Sequence, residues 1–197
     1  PRLGPLWSLP SDAGSKPGLS DRLKLGHVSE LALDDSIAMR VRFDGVVPRP
    51  NQMYFRGPVL TRFDGREWRP FYADYEAFVA QGRARLEVDG PPVRYQVTQE
   101  PHSRPWLFVL DATVEAPRLP GGQAVFMSDE LQWRTRRPLT DLMRYDVVSH
   151  TTYRHGPLRR GPELQPSLEL PAGFNPRTLA LALELQRTTR DPEALVE

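Results

Sequence analysis

No cysteine occurs anywhere in the 197 residues. A disulfide, a thiolate zinc site and a cysteine nucleophile are therefore excluded from this chain. A reducing compartment does not follow, because disulfides are optional in a domain of this size. Long apolar runs are missing too. A run such as Trp106 to Leu110, unexceeded in length, falls far short of the ~20 residues a bilayer-spanning helix needs, and no signal peptide is visible. Lysine is nearly absent: Lys16 and Lys24 stand alone among arginines, a bias of codon usage before one of recognition. A net charge of +1 gives the chain no overall pull toward nucleic acid or anionic membrane. No G-x-S-x-G elbow, P-loop or G-x-G-x-x-G occurs, so no nucleophile elbow or phosphate cradle is encoded.

Proline and glycine are abundant, at 21 and 14 residues. That favours short strands joined by turns over long helices. The segment Tyr54–Trp68 carries the densest aromatic bulk, with Phe55, Phe63 and Trp68 around an Asp64-Gly65 turn signal. It predicts a hairpin with a type I′ turn, since glycine takes positive φ without steric cost. Its buried rings make it the expected nucleus of the core.

Other strands follow from alternation. Ile37, Met39, Val41 and Phe43 alternate with Ala38, Arg40 and Arg42, which predicts a strand over 36–43. Residues 85–88 and 93–99, around Asp89-Gly90-Pro91-Pro92, predict a second hairpin. Trp106–Leu110 reads as a strand buried on both faces. Residues 125–127 and 131–135 flank a Ser128-Asp129-Glu130 turn, and 143–153 alternates as one long strand. A short helix is expected over 72–80. The total is roughly eight to ten strands at the spacing of an antiparallel sandwich or a barrel-like module.

The organisation expected is an irregular lead-in with a short helical turn over 1–35, a β-rich module over 36–155, a Pro-rich extended connector over 156–174, and a helical segment from 175 to 197. Asn175-Pro176 signals a helix start with Asn as N-cap and Pro in the first turn. Asp191-Pro192-Glu193 repeats the signal just before the last residue. A helix that short is not stable alone, so 175–197 is expected to open a second, largely helical domain. The first residue is Pro1, not Met, and the chain is read as a piece of a longer polypeptide.

Few residues offer chemistry. The histidines are His27, His102, His150 and His155. His150 and His155 are five apart, which sets them on different faces of a helix and on opposite faces of a strand. They cannot form a paired zinc-ligand face, and all four are read as surface or strand-end residues. Asp34-Asp35 and Asp129-Glu130 are adjacent carboxylates whose side chains point apart in a strand, so they read as turn formers and not as a glycosidase pair. The arginine runs Arg134-Thr135-Arg136-Arg137 and Arg154 with Arg159-Arg160 are balanced by acids and lack an aromatic platform. They read as a solvated face and not as a nucleic-acid site.

Several segments together resemble the soluble region of TgpA-type transglutaminase-like proteins of the bacterial inner membrane. They are Gly18-Leu19-Ser20-Asp21, Gly26-His27-Val28-Ser29-Glu30-Leu31-Ala32, Ala38-Met39-Arg40-Val41-Arg42-Phe43, Tyr54-Phe55-Arg56-Gly57 with Phe63-Asp64-Gly65-Arg66-Glu67-Trp68, Arg94-Tyr95-Gln96-Val97-Thr98 with Trp106–Asp111, and Leu170-Pro171 with Asn175–Ala180. The likeness spans nearly the whole chain.

The resemblance implies a periplasmic, β-rich segment that precedes an α+β transglutaminase-like domain, whose first helices would occupy 175–197, with transmembrane helices flanking both. It implies acyl transfer from protein glutamine by a Cys-His-Asp triad. That triad would lie downstream, so no residue here takes a catalytic, cofactor-binding or metal-binding role, and this chain alone should be inactive. No cofactor is implied. The implied partners are the downstream domain and envelope protein substrates. Nucleic acid is not among them, and membrane contact would come only through the flanking helices. The alternative reading is a module that binds envelope protein or glycan, with Trp7, Tyr72, Tyr75 and Trp133 as contact candidates.

Overall fold

The computed structural model describes residues 22–24, 36–70, 86–156, 165–189, 191 and 194–195. The lead-in apart from 22–24, the expected helix over 72–80, and the candidates Trp7, His27, Asp34, Asp35, Tyr72, Tyr75, Arg159 and Arg160 lie outside them.

The described residues form a mainly β, wholly antiparallel structure of thirteen short strands in five small sheets. The central sheet is built from β2 (Met39–Phe43), β7 (Val93–Gln99) and β12 (Met143–Ser149), in the order β12-β7-β2. Its alternation is the one the sequence predicts. Met39, Val41, Phe43, Tyr95, Val97, Tyr145 and Val147 turn inward, while Arg40, Arg42, Arg94 and Arg144 face solvent. Against the inner face lies residues 106–110, and between them sits the core, with Leu107, Val109, Leu110, Leu119, Trp133 and Leu139. The arrangement is sandwich-like, and none of the five sheets closes into a barrel.

Two expected single strands are each broken in two, which accounts for part of the higher strand number. Trp106–Leu110 divides into β8 (Trp106–Leu107), paired with β11 (Trp133–Thr135), and β9 (Val109–Leu110), paired with β3 (Phe55–Arg56). The strand thus changes sheets at Phe108. Likewise 143–153 divides at His150-Thr151 into β12 and β13 (Thr152–His155), and β13 pairs with β6 (Leu86–Asp89). That pairing also removes the expected hairpin over 85–99. β6 and β7 belong to different sheets, because Gly90 at φ +75° and the donor-less Pro91-Pro92 carry the chain away before a ladder can form. β10 (Val125–Met127) does pair with β11 as expected, across a loop of residues 128–132.

The Tyr54–Trp68 segment holds the expected hairpin, but only Phe55 of the segment's named rings packs against the core, and the hairpin itself stands outside it. β4 (Arg62–Phe63) pairs with β5 (Glu67–Arg69), and β1 (Leu23–Lys24) adds to the far edge of β5. Phe63 and Trp68 stack with centroids 4.9 Å apart, both only half-buried. The two rings pack on each other and neither joins the buried cluster. The turn differs too. Asp64 N donates to the Glu67 carbonyl at 3.2 Å, so Gly65 and Arg66 are the central pair. Of these only Gly65 has positive φ, +97°, which is the type II′ placement of glycine and not type I′. Asp64 Oδ1 accepts from the backbone N–H groups of Arg66 and Glu67, and these bonds hold its carboxyl below the usual range.

Beyond the sheets, α1 (Gln165–Leu168) puts one helical turn where an extended connector was expected. α2 (Pro176–Thr188) begins where Asn175-Pro176 predicts. Asn175 stands at the N-cap position but in the left-handed region, φ +52°, without a side-chain cap bond. A residue before proline is kept out of the right-handed helical region, and asparagine tolerates the left-handed one. Leu195 N donates to the Asp191 carbonyl at 3.1 Å, the opening bond of the second helical start.

The peripheral position of the hairpin fixes what truncation costs. Trp68→Ala is expected to lower unfolding free energy by about 1–2 kcal/mol, against about 2–5 kcal/mol for core Leu110→Ala. Urea titration of both variants checks the ranking, and equal losses would contradict it.

Candidate functional site

The richest concentration of polar side chains lies under the strand that changes sheets. Asp111 N donates to the Tyr54 carbonyl and Thr135 N to the Pro105 carbonyl, at 3.1 and 2.9 Å. Antiparallel bonding alternates, so residues 106 and 110 turn their own backbone groups away from β11 and β3. Phe108, unpaired between them, has the same parity. Side chains from β7 and β12 meet all three.

Gln99 serves the first two. Its Oε1 accepts from Phe108 N at 3.1 Å and from the Tyr145 hydroxyl at 2.5 Å. Its Nε2 donates to the Trp106 carbonyl at 2.8 Å and lies 2.5 Å from His102 Nε2, which itself is 3.2 Å from the same carbonyl. Both lone pairs of the carboxamide oxygen are thus used. Tyr145 also lies 2.9 Å from the Phe108 carbonyl.

Around Leu110 the bonds close into a ring. Leu110 N donates to the Tyr95 hydroxyl at 2.7 Å, and the Thr113 hydroxyl donates to the Leu110 carbonyl at 2.9 Å. That direction fixes the others: Tyr95 donates to Ser149 at 2.9 Å, and Ser149 to Thr113 at 2.6 Å. Each hydroxyl donates once and accepts once. Burial pushes the Tyr95 phenol up to about 12, against the opposing pull of its partners, and burial raises Tyr145 well above its ordinary value.

A second cluster ties three elements. Arg56 on β3 grips Asp111, just after β9, with Nε 2.9 Å from Oδ1 and Nη2 2.5 Å from Oδ2. Tyr153 on β13 donates to Asp111 Oδ2 at 3.0 Å. The Asp111 side chain is 4% exposed and that of Arg56 20%. Burial would lower the guanidinium's pKa, but the bond and charge of Asp111 outweigh it and leave it raised. Tyr153 is raised by burial first and then by the Asp111 charge.

These groups are bonded to one another within the fold. Ser149 is fully buried, its hydroxyl is consumed by Tyr95 and Thr113, and none of its recorded partners is a base. Among the described residues no group of three or more His, Asp or Glu is placed to hold a metal ion, and no helix is long and apolar enough to cross a membrane.

Several candidates sit elsewhere than expected. His102 is buried on Gln99 and is not a surface residue. His155 donates to the Asp129 carbonyl at 2.6 Å, while His150 pairs its backbone with Ala112. Asp129 and Glu130 occupy the loop between β10 and β11, where burial and then Glu130 raise the Asp129 carboxyl. Arg136, Arg137 and Arg154 are exposed, but Arg134 is only 8% exposed, with its guanidinium carbon 4.4 Å from the Trp106 ring centroid. The reason is register: Arg134 stands directly opposite Trp106, where a cation over an aromatic face is favourable. Trp133 is in the core, 6% exposed, and is not a contact residue. Gln99, Ser149 and Thr113 were missed. For the first two a signal existed, as each is the polar last member of an inward-facing apolar series.

Comparison with known proteins settles the relationship. A family model described as the TgpA N-terminal domain matches residues 1–156. The chain belongs to the TgpA N-terminal domain family. This TgpA-family chain is 37% identical over its whole length to the protein-glutamine gamma-glutamyltransferase of Pseudomonas aeruginosa, of which it spans 28%. It matches the crystal structure of the periplasmic domain of TgpA from Pseudomonas aeruginosa at TM-score 0.74 and 30% identity, covering 90% of this chain and 59% of that one. The same domain bound to ethylmercury gives 0.75 and 31%, covering 91% and 60%.

Two measurements follow from the buried groups. Gln99→Leu strands the Phe108 N–H and leaves the Trp106 carbonyl with His102 Nε2 alone, at 3.2 Å; at ~1–3 kcal/mol for an orphaned buried group the loss in urea unfolding is at least about 1–3 kcal/mol. For Tyr95, the folded pKa of about 12 exceeds the unfolded value near 10. Its stabilisation is therefore complete below about pH 10 and is lost as pH rises toward 12. Unfolding free energy measured from pH 8 to 12 should fall in that window, and less steeply in Tyr95→Phe.

Proposed function

We propose that this chain is the non-catalytic periplasmic module of a membrane-anchored transglutaminase-like enzyme, and that it positions a catalytic domain that follows it. The observation that carries the reading is that a chain similar to a glutamyltransferase along its whole length contains no thiol. Acyl transfer from glutamine by such an enzyme needs a thiolate. The sulfur attacks the carboxamide carbon, ammonia leaves as a thioester forms, and an amine or water then displaces the sulfur. A histidine moves the protons and an acid orients it. The buried hydroxyls here cannot substitute, since each is consumed within the fold. The periplasmic setting is supported by the named domain of the solved relatives.

The test is incorporation of a fluorescent primary amine into a glutamine-bearing protein. The 197-residue chain alone should give no incorporation above buffer, while the polypeptide extended through the downstream domain should give turnover. Turnover by this chain alone would overturn the assignment.

A further inference from the structure

The hairpin turn carries a contact that the buried clusters do not explain. Gly65 is buried although its neighbours Asp64 and Arg66 in the turn are exposed. What covers it is Phe174. A Cβ placed on Gly65 would stand 2.4 Å from Phe174 Cγ and 2.6 and 2.8 Å from Cδ1 and Cδ2. The ring therefore lies on the glycine at a distance no side chain permits. The Arg66 guanidinium adds a second contact, 5.9 Å from the ring centroid, within cation–π range.

Phe174 stands two residues before α2. Between them, Asn175 is held in the left-handed region at φ +52°, and Pro176 has its φ locked by the ring. The direction of the chain is thus set stiffly from the aromatic ring into the helix. Every residue from Pro176 to Thr188 is exposed, including Leu179, Leu181, Leu183 and Leu185, so the helix buries little of itself against the sheets. Near the same hairpin, α1 approaches β4.

We infer that the β4–β5 turn is a docking surface for Phe174, and that this one glycine–aromatic contact sets the direction of α2 relative to the sheets. Gly65 and Phe174 are positioning residues. The consequence for catalysis rests on the proposed role of the module, but the contact itself is testable on this chain without any activity, so the two can fail separately.

The absence of native cysteine makes the test direct. Arg144→Cys on the solvent face of β12 and Glu184→Cys on α2 give the sole labelling sites, and both positions are exposed. Pulsed electron–electron resonance on the spin-labelled 197-residue chain should give one narrow distance distribution. Phe174→Ala should roughly double its width, and Gly65→Ala should add nothing in that background, because the two act through one contact. Phe174 lies outside the core, so its removal should leave the thermal unfolding of the sheets in place. A distribution already broad in the parent, an unchanged width in Phe174→Ala, or additive effects of the two substitutions would each overturn the inference.

Discussion

A strand that changes sheets in mid-course leaves backbone groups pointing at a neighbour it does not pair with, and that constraint governs this fold. Between Trp106 and Leu110 the chain passes from β11 to β3, and every second residue turns its amide and carbonyl toward β7 and β12. In a buried layer those groups need partners at a cost of ~1–3 kcal/mol each when unmet. Hence the inner face of the central sheet cannot be wholly apolar. It carries Gln99, Tyr95, Tyr145 and Ser149 among its valines. The aromatic bodies supply buried area, and their hydroxyls reach the strand beyond. The same groups also specify register, since a slip of one residue would take both tyrosines to the solvent face.

The strands of the central sheet were legible because one of their faces is buried and the other wet, which writes a period of two into the sequence. Which strands pair was not legible. β6 and β7 are neighbours in sequence yet lie in different sheets, and β12 and β13 do the same after a break of two residues. Such pairings are decided by how the layers fill, which no local window contains. Aromatic density misled for a similar reason. Phe63 and Trp68 looked like a nucleus, but a ring counts as core only where the surrounding layer has room for it. Arg134 failed in the opposite direction: a charge in a basic run reads as solvated unless the tryptophan across the ladder is known.

The functional residues show the same division. The lack of a thiol was visible in composition alone, and with it the exclusion of cysteine chemistry from these residues. Gln99 and Ser149 could have been suspected as polar residues ending inward-facing series. Gly65 could be read only as a turn residue. That it also accepts a ring from 109 residues further along the chain depends on a close approach that sequence spacing does not encode.

One glycine therefore answers two demands at once. The turn needs a positive φ at its first central position, and Phe174 needs a surface without a Cβ. Alanine would meet neither demand, whereas a left-handed asparagine could tolerate the φ and would still strike the ring. The second demand is the more restrictive, and it concerns the helix more than the hairpin. A hairpin peripheral to the core, with its own aromatic pair half-exposed, contributes little to holding the sheets together. Its position makes sense as the place where the sheets reach the start of α2, whose leucines stay exposed.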